Sequence, residues 1–528
     1  MSRLLLLKGK IYTMDRTLPR AQAVAIEGNR ILAVGSNEEV RAQTRGGGWE
    51  VLDLEGKAVV PGFIDCHVHF LEFALGLKRL DFKGVGSLEG VLGLVREHAR
   101  KSGPGEWITG FGWDHHLWQG GFPRKEDLDR VAPENPVALT RKDGHLMWVN
   151  SLALERARID EVTPDPPGGE IERDEQGSTG ILKERALELV EEILPPSSPQ
   201  TRQEVLREAI SKAQQFGLTG IHDCEGSQAL ADFQILLAQG KLGVRVYMMI
   251  PQEGLEKAID LGLKTGFGND YLRLGHLKLF ADGSLGSQTA HMLEPFYGQP
   301  DNCGIPVLAR DELQDIVGRA DEAEIACAVH AIGDAANRKA LDIFAQLRAR
   351  GVRGGLRHRI EHAQLLHPDD IARFKQLGII ASMQPIHATS DMAMADRYWG
   401  GRARYSYAWR SLLDSGARLA FGSDCPVESL EPLMGIYAAV TRQRASGEPE
   451  GGWHPQERLT VAEAVHAYTL GAAYASGEGR AKGSIAPGKL ADLVVLSRDI
   501  FEIRPEGTLE AKVLYTIFDG HVIYEGRR

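Results

Sequence analysis

The segment GFIDCHVHF, residues 62–70, decides how this chain is interpreted. It is a short apolar run typical of a buried strand, and residues two apart on a strand point to the same face. His67 and His69 therefore present their imidazoles side by side, an arrangement that can hold one divalent cation. Asp65 lies on the same face and could orient a ligand. Because the chain has 17 histidines, a His-x-His triplet also arises by chance. Only its position in the fold can show whether it binds a metal.

Seven further apolar runs follow this segment, and amphipathic helical stretches separate most of them. Such alternation is typical of βα units with a parallel sheet, and eight units close a (β/α)8 barrel. The sequence therefore predicts an α/β fold of the TIM-barrel type. Its predicted strands are 62–70, 218–223, 244–250, 275–282, 326–334, 356–363, 378–385 and 417–424.

Four more polar residues lie on later predicted strands or at their ends: Lys278, His330, His362 and Asp424. Barrel enzymes place their active sites at the carboxyl ends of the strands, where the first two histidines also lie. Each residue taken singly has a structural explanation. Lys278 could form an ion pair, His330 and His362 could be core histidines bonded to carbonyl groups, and Asp424 could cap a helix. Together they would be costly to bury at one rim unless a cation organised them. The imidazoles and the carboxylate, with the two histidines of the first strand, form a coherent ligand set for zinc, with iron, manganese or nickel as alternatives.

Both ends of the chain carry short strand signals. Gly28–Asn29 and Asp519–Gly520 each stand between apolar runs, which is a hairpin signal. Because the termini of a domain often lie close together, we expect residues 1–58 and 480–528 to form one accessory β-domain. Residues 59–479 then form the barrel domain.

The interval between the first two predicted strands is far longer than an ordinary βα connection. It contains strand-like pieces, EWITGFGWD and PVALTRKDGH, and a loop rich in proline, glycine and acidic residues. We therefore predict an inserted α/β lobe at about residues 71–205, which either covers the barrel mouth or forms a separate domain elsewhere on the surface. Trp113, Trp118 and Trp148 in this interval would form either an apolar lid against a substrate or the core of the lobe.

The composition of the 528-residue chain excludes several classes of protein. Its net charge of -11 argues against a nucleic-acid binder, and its apolar runs are too short for a membrane span or a signal peptide. Five scattered cysteines without a CxxC pair argue against a disulfide framework. We expect a cytoplasmic protein that binds a small-molecule substrate, with neither nucleic acid nor a membrane as partner. A homodimer and a monomer both stay open.

Four motifs, in the order of the predicted strands, resemble those of the amidohydrolase superfamily: PGFIDCHVH, VHAIGD, RIEHAQ and FGSDCPV. The terminal KGSIAPGKLADLVVL is similar to the closing β-strand signature of that superfamily. Four other segments resemble more narrowly the branch that contains N-substituted formamide deformylases: GFGWDHHLW, DGHLMWVNS, TGILKE and LKLFADGSLGSQTA. The resemblance spans nearly the whole chain.

This resemblance implies a (β/α)8 barrel with a small β-sandwich built from both termini. It implies metal-site roles for the residues that match its motifs: His67, His69, His330, His362 and Asp424. In binuclear members a lysine on strand four is carboxylated, and its carbamate bridges two metal ions. Lys278 is the matching residue, so we expect two ions if it is carboxylated and a single ion if it is not.

The resemblance also implies an activity. We expect a metal-dependent hydrolase that cleaves a non-peptide C–N bond of an amide or formamide-like substrate with metal-activated water. Asp424 would be the catalytic residue that accepts the proton of the water and passes it to the leaving amine. The candidate substrate-binding residues are His145, His222, Trp113 and Asp282, and a buried structural role is an equal alternative for the two histidines. A deaminase or cyclic amidase on the same site, and a non-catalytic binding protein on this scaffold, are the alternatives.

Overall fold

Eight parallel strands form the central sheet of the protein. The computed structural model describes residues 2–44, 46–118, 121–175, 177–195, 197–351 and 355–526. Each predicted strand overlaps one observed strand, and successive strands pair in parallel in chain order, so the prediction of a TIM-like barrel is confirmed. We number these barrel strands 1 to 8: Phe63–Val68, Leu218–Asp223, Arg245–Pro251, Leu272–Phe280, Cys327–Ala331, Arg359–His362, Ile380–Met383 and Arg418–Phe421.

Barrel strands 8 and 1 meet at their carboxyl ends. The backbone N–H of Asp424 donates to the carbonyl of His67 at 2.8 Å. The backbone N–H of His69 donates to the carbonyl of Cys425, also at 2.8 Å. These bonds hold the end of the first strand against the end of the eighth, so residues far apart in sequence share one rim.

Helices surround the barrel strands and bury one face against them. Along Arg310–Glu322 the buried residues follow the 3.6-residue period: Leu313, Ile316, Val317 and Ala320. None of the helices in the described ranges combines the length and apolarity that a bilayer span requires. The helices of this layer are Phe70–Gly76, Pro199–Gln215, Ser227–Ala238, Leu255–Asp260, Arg310–Glu322, Asp334–Ala349, Pro368–Leu377, Pro385–Trp399, Trp409–Asp414, Pro432–Thr441, Val461–His466 and Ala472–Ala475.

Strands from both ends of the chain build two further sheets, which pack together as a β-sandwich with a shared apolar core. Arg245 on barrel strand 3 connects this sandwich to the barrel, because its guanidinium donates to Asp492 at 2.6 and 2.9 Å. The four-stranded sheet contains Arg3–Leu7, Ala23–Glu27, Arg30–Gly35 and Glu50–Asp53, with the helix Asn37–Gln43 beside it. The six-stranded sheet contains Lys10–Tyr12, Arg20–Ala21, Ala58–Pro61, Leu493–Leu496, Val513–Phe518 and His521–Glu525.

The chain forms a separate six-stranded sheet with short helices after it leaves barrel strand 1 and before it enters barrel strand 2. We call this inserted unit the lobe. Its sheet is mixed, since neighbouring strands pair in both directions. The lobe strands are Leu80–Asp81, Ile108–Trp113, Val137–Arg141, Leu146–Val149, Gly169–Asp174 and Gly177–Glu184, and its helices are Leu88–Ala99, Lys125–Asp129, Ser151–Arg156 and Glu188–Glu191. These elements lie inside the interval predicted for the insertion, while the exact domain boundaries stay predictions.

Candidate metal centre

The carboxyl ends of five barrel strands bring polar side chains to one point. Nε2 of His67 lies 3.3 Å from Oδ1 of Asp424, and Nε2 of His69 lies 3.3 Å from the same oxygen. A potential ligand atom of His362 joins those of His67 and Asp424, and all three lie within 4.8 Å of one another. The fold therefore brings the ends of barrel strands 1, 6 and 8 together.

Lys278 and His330 complete the group. Nζ of Lys278 lies 3.2 Å from Nε2 of His67. The ring centroids of His330 and His362 are 4.6 Å apart, and those of His67 and His362 are 4.8 Å apart. All six residues that the sequence suggested for the metal site thus lie on one rim of the barrel.

The hydrogen bonds of the imidazoles fit a bound cation. Nδ1 of His67 donates to Oε2 of Glu361 at 2.5 Å, and Nδ1 of His362 donates to Oε1 of Gln384 at 2.7 Å. Nε2 of His330 donates to a backbone carbonyl oxygen at 3.0 Å. With its proton on the nitrogen that faces a protein oxygen, each ring leaves the opposite nitrogen available to a cation. Neutral imidazoles with a carboxylate are the ligand chemistry of zinc and related divalent ions.

Burial and neighbouring charges give three of these side chains protonation states that suit a cation. Burial lowers the pKa of His330 and of His362 well below the ordinary value, so both rings are neutral at pH 7. Burial by itself would raise the pKa of Asp424, but the imidazoles of His67 and His387 outweigh it and hold that pKa well below its usual range. The site therefore offers two neutral imidazoles, those of His330 and His362, and one ionised carboxylate.

Sequence reasoning missed Glu361, which orients His67. Its carboxylate accepts the hydroxyl of Ser382 at 2.7 Å and pairs with Nε of Arg359 at 2.5 Å. Burial would raise the pKa of Glu361, but Arg359 and then His67 lower it below its usual range, so the carboxylate stays charged. A signal was available in the segment RIEH, because opposite charges two residues apart on a buried strand predict an ion pair on one face.

His387 is a second residue that sequence reasoning missed. It lies in the first turn of the helix Pro385–Trp399, and its Nε2 is 3.4 Å from Oδ2 of Asp424. The two oxygens of Asp424 thus face different groups, since Oδ1 faces His67 and His69 and Oδ2 faces His387. No local pattern marks His387, because its position depends on how the helix after barrel strand 7 packs on the rim.

Asp65, expected to orient a ligand, acts on the backbone. Its Oδ1 accepts the backbone N–H groups of His67 at 3.1 Å and of Ser423 at 2.9 Å, and its Oδ2 accepts the Ser423 hydroxyl at 2.5 Å. Burial raises the pKa of this carboxyl to about 7. Asp65 therefore joins the two segments that carry His67 and Asp424, and it holds their backbones in register.

A second group of potential ligands, Asp114, His115 and His116, already surrounds a positive charge. The guanidinium of Arg141 donates to Oδ1 of Asp114 at 3.0 Å, to Nδ1 of His116 at 2.9 Å and to Nδ1 of His115 at 3.3 Å. Burial and then the charge of Arg141 lower the pKa of His115 to about 3. A fixed guanidinium at the centre of the group leaves no need for a metal ion, so we assign the group a structural role.

A cavity of about 920 Å³ opens above the candidate metal ligands. Barrel residues such as His67 and Lys278 line one side of it, and lobe residues such as Phe111 and His145 line the other. The lobe therefore lies over the barrel mouth, which decides between the two placements that the sequence left open. Burial would lower the pKa of His145, but Glu184, whose Oε2 lies 2.7 Å from Nδ1, raises it to about 9.

The other three candidate substrate-binding residues do not line this cavity. His222 is buried in the barrel, with Nδ1 3.0 Å from a guanidinium nitrogen of Arg359. Trp113 lies in the lobe core, where Nε1 donates to the carbonyl of Leu139 at 2.8 Å. Asp282 accepts two backbone N–H groups that follow barrel strand 5, at 3.0 and 2.8 Å. Each of the three has a partner inside the protein, and no contact with the cavity supports a role in substrate binding.

Comparisons with known proteins match the chain over nearly its whole length. The model of the amidohydrolase family matches residues 50–524. Protein LONG AFTER FAR-RED 3 of Arabidopsis thaliana is 37% identical, over 99% of this chain and 91% of that protein. N-substituted formamide deformylase of Arthrobacter pascens is 31% identical, over 99% of each chain. The crystal structure of an uncharacterized metal-dependent hydrolase from Pyrococcus horikoshii superimposes with a TM-score of 0.77 at 30% identity, covering 96% of this chain and 99% of that one.

Proposed function

The chain belongs to the amidohydrolase family, and from this premise we propose that it is a metal-dependent hydrolase that cleaves amide-like, non-peptide C–N bonds. One observation carries the proposal: His67, His362 and Asp424 bring their ligand atoms within 4.8 Å of one another beside the cavity. Two imidazoles and a carboxylate buried so close together are best compensated by a shared cation.

The residues on the barrel rim would hold this cation. The proposed ligands are His67, His69, His330, His362 and Asp424, and we propose zinc because it favours imidazole nitrogen and carboxylate oxygen. A carboxylated Lys278, whose Nζ lies 3.2 Å from Nε2 of His67, would supply bridging oxygens for a second ion. When bound, the cation supplies Lewis acidity, which lowers the pKa of a water molecule toward about 7 and polarises a carbonyl group.

Asp424 would transfer the proton in this reaction. Its low pKa keeps the carboxylate ionised, and a buried ionised carboxylate next to the attacking water can accept a proton. The same group can then donate that proton to the nitrogen of the leaving amine. His387 contacts Oδ2 on the other side of the carboxylate and helps to keep its orientation constant.

The cavity and one relative support an amide with an apolar substituent as the substrate. Phe111, Met147 and Phe280 give the cavity an apolar wall, and its volume of about 920 Å³ is in the usual range for small-molecule sites. The similar protein from Arthrobacter pascens is named an N-substituted formamide deformylase. N-substituted formamides are therefore the first substrates to test.

Metal analysis combined with a substrate panel tests this proposal. The panel contains formamides, N-acyl amines, cyclic imides and aminated heterocycles. The assay detects released amine or ammonia and, for the cyclic imides, the ring-opened half-amide. We expect one or two divalent ions per chain and amine release from an N-substituted formamide, with both lost in the double variant H67A/H69A. Protein that holds no divalent ion even after supplementation would refute the proposal. Ammonia released from a heterocycle, or opening of a cyclic imide, would identify the deaminase or cyclic amidase alternative.

A further inference from the structure

The lobe contributes a histidine to the cavity that is not part of the proposed ligand set. Nδ1 of His145 lies 2.7 Å from Oε2 of Glu184, and the backbone N–H of Glu184 donates to the carbonyl of His145 at 3.0 Å. Oε1 of Glu184 accepts the hydroxyl of Thr289 at 2.5 Å. Thr289 follows barrel strand 4, so groups from both the lobe and the barrel fix the orientation of this imidazole.

The second ring nitrogen of His145 is left for the cavity. Nδ1 is engaged by Glu184, and Nε2 makes no hydrogen bond to any residue in the described part of the chain. His145 lines the same cavity as His330 and Asp424, and its ring centroid is 5.4 Å from that of His330. A substrate held at the metal centre and extending into the cavity therefore passes Nε2 of His145.

Attachment of the lobe to the barrel does not require His145. Asp143, two residues earlier, accepts the hydroxyl of Ser284 at 2.7 Å and that of Ser287 at 3.0 Å, and both serines belong to the loop after barrel strand 4. Lys142 lies 3.3 Å from a carboxylate oxygen of Glu428, which adds a second connection. These bonds hold the lobe in place without His145. A purely structural role for His145 would therefore not explain why its imidazole faces the cavity.

We propose that His145 is a catalytic residue that hydrogen-bonds the scissile amide group of the substrate through Nε2. Glu184 is the positioning residue that sets the orientation of the ring, supported by Thr289. The inference rests on the proposed hydrolase function, and it places one reacting contact on the lobe and the others on the barrel. The lobe would then take part in catalysis as well as covering the site.

Variants of the zinc-loaded protein test this role: H145A, E184Q and, as a matched control, H521A, which removes an exposed histidine of the β-sandwich. We expect H145A to lower kcat/KM for an N-substituted formamide by about 100-fold, the usual loss when one preorganised hydrogen bond to a reacting group is removed. Added imidazole should restore part of this rate, with saturation, because it can occupy the space of the deleted ring. E184Q should lower kcat more than it raises KM, because it loosens the orientation of a ring that is still present.

Binding of acetohydroxamate separates this inference from the proposed function. The Kd of acetohydroxamate, measured by calorimetry, should rise by about tenfold or more in H145A, which is the equivalent of one hydrogen bond. The zinc content of H145A should stay at the wild-type level, and H521A should bind acetohydroxamate with the wild-type Kd. A wild type that hydrolyses no member of the panel refutes the proposed function and with it the catalytic role of His145, and the hydroxamate comparison then tests only whether Nε2 hydrogen-bonds a ligand in the cavity. Wild-type kcat/KM or wild-type hydroxamate affinity in H145A overturns the inference. If H145A fails to fold by circular dichroism, E184Q is judged by the same two measurements.

Discussion

Replacing Glu361 with glutamine should weaken both the fold and the metal centre. The carboxylate of Glu361 accepts a hydrogen bond from Nδ1 of His67 at 2.5 Å and forms an ion pair with Nε of Arg359 at 2.5 Å. The side chains of these three residues are at most 1% exposed, so water cannot replace a lost partner. Glutamine keeps the size of the side chain and removes its charge. Arg359 then stays buried without this counter-ion, and His67 loses the acceptor that fixes its ring.

The two effects have different sizes. Removing one partner of a buried ion pair costs about 3–5 kcal/mol, which we expect as the decrease in the free energy of unfolding of the metal-free protein. Losing the hydrogen bond behind a metal-binding imidazole costs about 10–100-fold in metal affinity, or about 1.4–2.7 kcal/mol. The double variant R359M/E361Q removes both charges. It should therefore regain most of the stability while its metal affinity stays low.

Urea unfolding of chelator-treated protein measures the first effect, and zinc titration against a competing chelator measures the second. The matched control is E253Q, which neutralises an exposed carboxylate at the edge of the same cavity and should behave like the wild type. Unfolding of E361Q at the wild-type midpoint would show that Arg359 does not depend on this charge. Wild-type zinc affinity of E361Q would refute the role of Glu361 in orienting His67.

Three further predictions concern proton transfer, the domain contact and pH. D424N should keep its circular dichroism spectrum and lose about 10²–10⁴-fold in kcat, because an amide cannot accept the proton; normal turnover would exclude Asp424 from this step. R245M should lower the free energy of unfolding by about 3–5 kcal/mol, because it leaves Asp492 buried without its bidentate partner, and an unchanged urea midpoint would contradict this. In the metal-free protein, the pairing of His145 with Glu184 should stabilise the fold fully below the unfolded pKa of His145, which is near 6.5. This stabilisation should be lost as the pH rises through the folded pKa of about 9. Between these two pKa values the folded state binds more protons than the unfolded state, so stability falls with rising pH. The unfolding free energies of wild type and H145A, measured from about pH 6 to about pH 9.5, should converge with rising pH; a constant difference would exclude this linkage.

Barrel strands and their rim could be predicted because their signals are local. Each barrel strand is a short apolar run, and the buried residues of each helix recur with the helical period. The need to bury these residues therefore produces a hydrophobic pattern that can be recognised in the sequence. His67, His362 and Asp424 stand at the ends of such runs, and the carboxyl ends of parallel strands meet at one edge. The position of these residues on one rim therefore followed from the order of the strands.

The sequence did not distinguish the surroundings of His145 from those of His222. Both are histidines near predicted strands, yet His145 lines the cavity and His222 points to the buried guanidinium of Arg359. The difference arises from the direction of each side chain and from the partners that the neighbouring elements supply. A pattern along the chain does not record either of these.

The sequence by itself determined the order of the elements, the barrel and which polar residues lie on its rim, because hydrophobic periodicity acts between near neighbours in the chain. Only the tertiary structure decided that Glu361 supports His67, that His387 faces Asp424 and that the lobe covers the mouth. Hydrogen bonds and ion pairs act over a few ångströms in space, so their partners are set by packing between distant segments and are known only when those segments are placed together.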